Sequence, residues 1–208
     1  MPYPVSVDVQ PLYANRNRLT TAFRVILAIP HIILVGGLGF SVAHRNPDTV
    51  SFGSEAGLLG AVAWVLAVVS WFTIVFTGHH ILGIRQFTAF YLRWKVRALA
   101  YLMLLEDPYP PFGDAPYPAS ISIEDPPAPR NRLTVGFRLI LVIPHAIILG
   151  LLVVVWWVTG IVAWVAILIS AEYPRGLYDF GVGVLRWFMR VDAYLLLIVD
   201  EYPPFSLT

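Results

Sequence analysis

The chain repeats itself, and the repeat has two registers. Arg16-Asn17-Arg18-Leu19-Thr20 returns as Arg130-Asn131-Arg132-Leu133-Thr134, Ile29-Pro30-His31 as Ile143-Pro144-His145, and Tyr109-Pro110-Pro111-Phe112 as Tyr202-Pro203-Pro204-Phe205. Up to His31 the copies are offset by 114 residues, and from Trp64 through Trp71, Arg93-Trp94, Arg97 and Tyr101 by 93. One insertion of 21 residues between His31 and Trp64 accounts for both offsets. It falls around Gly36 to Ala56, with Arg45, Asp48 and Glu55, and reads as a loop joining two apolar segments. In the second copy the same connection is expected to shrink to a tight turn near Gly150.

With 58% hydrophobic and 13% charged residues, the chain lies outside the range of a soluble domain of this size. Apolar runs at Leu19 to Phe40, Leu58 to Thr77, Leu133 to Leu149 and Leu151 to Ser170 each approach the ~20 residues that cross a bilayer as helix, so four crossings are expected. Met1 to Asn15 has no apolar core, and no removed signal peptide is expected. The absence of cysteine excludes disulfides, thiolate catalysis and cysteine-ligated metals.

Two crossings per copy would return the chain to its starting side. Arg16, Arg18, Arg24, Arg85, Arg93, Lys95, Arg97, Arg130, Arg132, Arg138, Arg175, Arg186 and Arg190 would then share one face, with only Arg45 opposite. The positive-inside rule makes that face cytoplasmic, which predicts an inner-membrane protein with both termini in the cytoplasm. The copies would be parallel, related by an axis along the membrane normal.

Val5 to Val9 and Ala119 to Ile123 alternate apolar with polar, the pattern of a half-buried strand, and pairing with each other is the economical arrangement. The Pro-rich joint Pro108 to Pro118 is a stiff linker. Leu82 to Leu105 and Leu177 to Val199 are apolar but charged; Asp179, Gly183, Arg186 and Arg190 form one helical stripe, with Gln86, Arg93 and Arg97 as its counterpart. An interfacial helix in each copy is expected, with Trp94 and Trp187 at headgroup depth. The units are residues 1–112 and 117–208, joined by 113–116.

Arg-Asn-Arg-Leu-Thr, Phe-Arg, Ile-Pro-His, Tyr173-Pro174-Arg175-Gly176-Leu177-Tyr178-Asp179-Phe180, Leu-Arg-Trp and Tyr-Pro-Pro-Phe together resemble the bacterial membrane family known as domain of unknown function 4389. The resemblance covers nearly the whole chain. It implies a multi-pass membrane protein and hands over no catalytic residues. The first copy departs from the second where His79-His80-Ile81-Leu82-Gly83 replaces Glu172-Tyr173-Pro174-Arg175-Gly176.

His31 and His145 each follow a proline inside an apolar run, and an intramembrane imidazole is a functional candidate. The pair could ligate one haem iron or metal between the copies, or relay protons. The preferred reading is satisfaction of backbone groups freed by Pro30 and Pro144. Arginine outnumbers lysine thirteen to one. Guanidinium binds phosphate bidentately, so Arg16, Arg18, Arg24, Arg93, Arg97, Arg130, Arg132, Arg138, Arg186 and Arg190 are candidate contacts for anionic headgroups, against a plain role in topology and snorkelling.

Asp179 and Asp192 lie on different faces of one helix and are expected to pair with Arg175, Arg186 or Arg190. His79, His80 and His44 do not make a metal cluster. No nucleotide loop, zinc spacing, nucleophile elbow or nucleic-acid motif is present, so no enzyme is expected.

The expected fold is thus an all-α integral membrane protein of two parallel tandem repeats, each a short strand, a two-helix transmembrane hairpin and an interfacial amphipathic helix. The expected function is non-catalytic: an accessory or scaffolding subunit of a larger membrane complex or homo-oligomer, or an organiser of anionic lipid. The alternatives are a small transporter or channel, and a haem- or metal-binding membrane protein through the Pro-His pairs. No cofactor is specified by the sequence.

Overall fold

Asn17 starts the first helix by accepting the amide protons of Leu19 and Thr20, and Asn131 does the same for Leu133 and Thr134. The computed structural model describes residues 3–38, 56–126 and 129–208. In the first copy α1 (Arg18–Ala22) breaks at Phe23 and resumes as α2 (Arg24–Val35), followed by α3 (Gly57–Thr77) and α4 (Leu82–Leu102). In the second, α5 (Arg132–Gly136) and α6 (Arg138–Leu141) lead into α7 (Ile143–Ser170), and α8 (Arg175–Leu195) follows.

The hairpin expected in the second copy is absent. Gly150 lies inside α7, a single helix of 28 residues, so runs 133–149 and 151–170 are not separate crossings. The buried positions show why: His145, Leu149, Val153, Trp156, Gly160, Ala163 and Ile167 recur every three or four residues, one stripe whose phase passes through Gly150 unbroken. A lone helical glycine costs about 1 kcal/mol, too little to break a helix whose packed face continues on both sides.

The first copy has the same stripe in two pieces. Arg24, Ala28, His31 and Val35 on α2 continue as Gly60, Ala63, Ala67, Ser70 and Ile74 on α3. The ends meet tightly. A Cβ on Gly57, whose φ is +68°, would collide with the Gly36 nitrogen and the Leu34 carbonyl. We call α1 through α3, and α5 through α7, the two rods. The loop assigned to Arg45, Asp48, Glu55 and His44, and the end of the first expected crossing at Phe40, lie outside the described residues.

Each rod is followed by an antiparallel return helix. Tyr91 of α4 meets Val35, Trp94 meets His31 and Tyr101 meets Arg24; in the second copy Trp187 of α8 meets His145 and Tyr194 meets Arg138. These helices correspond to the charged segments expected to be interfacial, yet they form the buried centre of the molecule. They are covered on one side by the rods and on the other by a sheet.

That sheet is the antiparallel pair β1 (Val5–Val9) and β2 (Ala119–Ile123), at the two alternating segments, with Val7 opposite Ile121. Val5, Val7, Val9, Ala119 and Ile121 point inward, while Ser6, Asp8, Ser120 and Ser122 face out. The strands are exchanged: β1 of the first copy packs on α8 and β2 of the second on α4.

The ends of the rods are exchanged as well. Trp71 near the end of rod one donates to the Val135 carbonyl at the start of rod two, and Trp164 donates to Thr21. Arg16 N–H donates to the Ala171 carbonyl as Arg130 N–H does to Gly78. Each rod therefore starts where the other ends, and the rods run antiparallel. A pseudo-twofold axis perpendicular to them passes through the Val7–Ile121 pair. The mostly helical chain has two described helices long and apolar enough to cross a membrane, Gly57–Thr77 and Ile143–Ser170, in place of the four expected.

Because strands and rod ends are exchanged, neither copy encloses its own core. Residues 117–208 expressed alone should give no monodisperse species on size-exclusion chromatography, and co-expression with residues 1–116 should restore one that elutes with the intact chain.

Candidate functional site

Two sites repeat by symmetry at the junction of rod, return helix and following tail. The first is an aromatic cage around each histidine. Trp94 Nε1–H donates to His31 Nδ1 at 3.0 Å and Trp187 Nε1–H to His145 Nδ1 at 3.1 Å. Phe112 stacks on His31 with centroids 4.6 Å apart, Phe205 on His145 at 3.9 Å, and Tyr109 and Tyr202 close the sides. An Nδ1 that accepts leaves the proton on Nε2, an assignment that follows from the indole donor. Nε2 of each ring is buried and has no hydrogen-bond partner.

Each histidine is thus packed within its own copy, and the structure does not bring the two together around a common ligand. Nor does either ring resatisfy the backbone beside its proline. In the second copy the Tyr202 hydroxyl donates instead to the Leu141 carbonyl at 3.0 Å, at the break between α6 and α7. The Tyr-Pro-Pro-Phe repeat explains itself here. The prolines stiffen the tail that lays Tyr and Phe on the imidazole.

The second site is a clamp of two arginines on one carboxylate. Asp107 Oδ1 accepts from Arg16 Nε at 3.0 Å and Arg24 Nη2 at 2.8 Å, and its Oδ2 from the Asn17 N–H at 2.8 Å. Asp200 does the same with Arg130, Arg138 and the Asn131 N–H. Arg24 also donates to the Glu106 carbonyl and lies over Tyr101, while Arg138 donates to Tyr194 and lies over its ring. Burial would raise the Asp107 and Asp200 carboxyls, but the N–H groups and guanidiniums outweigh it and hold both below their ordinary value.

This corrects the headgroup reading for most of the arginines. Arg24 and Arg138 are 1% exposed, and Arg16 and Arg130 are also buried, their charge neutralised inside the fold. Arg97 is buried against Asp114 and the Gly113 carbonyl, and Arg93 shares the same aspartate. Arg186 donates to the Val7 carbonyl and Arg190 to Thr208. Arg18 and Arg132 remain exposed at the two rod starts, Arg18 donating to the Ile169 carbonyl.

Asp179 and Asp192 do not take the arginines expected of them. Asp179 accepts from the Tyr13 hydroxyl, and Asp192 pairs with buried Lys95 at 2.8 Å between α4 and α8. Glu106 is a further buried carboxyl, 2% exposed, with Oε1 unpartnered. Burial pushes it up to about 7. Among the described residues no three His, Asp or Glu side chains are grouped to hold a metal. Sequence reasoning missed Asp107 and Asp200, although a signal was present: an aspartate precedes both Tyr-Pro-Pro-Phe motifs at the 93-residue offset.

Residues 50–113 and 132–206 match the family model described as Domain of unknown function (DUF4389), and the chain belongs to that family, with two copies in tandem. No curated protein and no solved structure matches it.

Removing one clamp carboxylate leaves two buried guanidiniums uncompensated. Asp200→Ala should therefore cost about 3–5 kcal/mol, read as a lowered midpoint of thermal unfolding in detergent. Glu106 behaves differently. Its folded pKa exceeds its unfolded value, so the folded state holds the proton longer and stability falls as pH rises from near 4.5 to near 7. Glu106→Gln should raise the unfolding midpoint at pH 8 and give no gain at pH 4.5.

Proposed function

We propose that this two-copy family member is a non-catalytic protein of the bacterial inner membrane that serves as an accessory, scaffolding subunit of a larger membrane assembly. The observation that carries this reading is the outer surface of the rods. Leu58, Val65, Phe72 and Phe76 on one and Leu151, Val154, Val158, Ile161 and Ile169 on the other are among many large apolar side chains left exposed. A contiguous apolar surface of this extent is met by lipid or by another protein, not by water.

The interior supports a structural role. Apart from Glu106, the buried carboxylates Asp107, Asp200 and Asp192 are spent on Arg16, Arg24, Arg130, Arg138 and Lys95, and the histidines are closed in by indole and phenyl rings. A transport path is not favoured, because the rods offer only isolated groups such as Ser70, Thr73 and Thr159, and the Thr73 and Thr159 hydroxyls bond to carbonyls of their own helix. Haem or metal ligation is not favoured by histidines whose Nδ1 accepts an indole proton and whose Nε2 holds its own. Organisation of anionic lipid is the second reading; it rests on Arg18, Arg132 and Arg175, exposed where rods begin or end. Tyr3 donates to the Glu201 carbonyl, which supports termini on one side, and the arginine excess supports the cytoplasmic side.

Extraction of the natively expressed protein in polymer nanodiscs, followed by mass spectrometry of intact complexes, should find a larger membrane protein at fixed stoichiometry. A homo-oligomer carrying only anionic lipid would replace the subunit reading with the lipid one.

A further inference from the structure

We infer that the chain lies flat in one leaflet, with both rods in the membrane plane among the acyl chains and the β1/β2 sheet facing the aqueous phase. The inference rests on the membrane part of the proposed function and goes beyond it by fixing orientation. It follows from the position of the sheet on the pseudo-twofold axis.

The axis relates the two ends of the antiparallel rods, so any point on it is equally far from both. The Val7–Ile121 pair is such a point. Rods that crossed the bilayer would hold the sheet at mid-depth. There the outward Ser6, Asp8, Ser120 and Ser122 would sit in hydrocarbon. Each charged group at that depth costs about 3 kcal/mol on insertion scales, and open sheet edges do not occur against lipid. A two-stranded sheet has two open edges.

Rod length argues the same way. α7 alone is about 42 Å long at 1.5 Å per residue, against a hydrocarbon core of about 30 Å. Upright fit would need a tilt of roughly 45°, beyond the range of spanning helices. Laid flat, the molecule has no such conflict. The apolar rods face one way and the polar strand faces the other. Arg18 and Glu172 at one end and Arg132 and His79 at the other come to the same height, where headgroups are. The symmetry axis then stands along the membrane normal with antiparallel rods lying across it, in place of the parallel, membrane-crossing copies expected from the sequence.

The chain has no cysteine, so single cysteines report position directly. Glu172→Cys and His79→Cys mark the two rod ends, Ser120→Cys the sheet and Val158→Cys the outer rod face; Ser170→Cys, Thr77→Cys and Ser122→Cys stand in for any variant that does not fold. Membranes carrying each variant are treated with a membrane-impermeant maleimide, as inside-out vesicles and as intact spheroplasts. Both ends and the sheet should react in the vesicles, none should react in spheroplasts, and Val158→Cys should react only after detergent is added. Reaction of the two ends from opposite sides, or protection of the sheet position in both preparations, would overturn the flat orientation while leaving membrane residence intact. Recovery of the protein in the soluble fraction with Val158→Cys reactive would overturn the membrane reading itself.

Discussion

Asp107 and Asp200 hold the fold at its two most exchanged points. Each takes two buried guanidiniums and a helix-start N–H, so one carboxylate joins the end of a return helix to the start of its rod. The same rod start receives the tryptophan and backbone contacts of the other copy. The rods can be apolar around most of their circumference because their polar obligations are met at the ends. The return helices can carry Arg93, Arg97, Arg186 and Arg190 because those side chains reach past the core to Asp114, a strand carbonyl or the C-terminal tail.

Local pattern was legible where it is set by few residues. The two five-residue strands and their mutual pairing follow from the alternation of apolar and polar residues. The repeat registers located the insertion. They did not say what it interrupts. A 21-residue excursion from a continuous helix and a hairpin joining two helices produce the same offsets, and Gly150 is equally at home in either. The phase of small and buried residues from His145 to Ile167 distinguishes them, since it runs through Gly150 without a slip. Arginine was misread for a related reason. Composition shows that guanidiniums abound, whereas their destination depends on two aspartates about sixty to ninety residues away.

The pseudo-symmetry is broken at the centre in a way that decides how the copies associate. At the 93-residue offset Lys95 corresponds to Phe188 and Asp192 to Leu99, so the buried ion pair occurs once. Two first copies facing each other would bury two lysines against leucine, and two second copies would bury two carboxylates against phenylalanine. Each unpaired charge would carry a desolvation penalty of several kcal/mol. Only the pairing of a first copy with a second satisfies both groups, and it also places each strand on the helix of the other copy. Lys95 and Asp192 add little net stability against an apolar pair of the same volume; their effect is to make every alternative pairing worse.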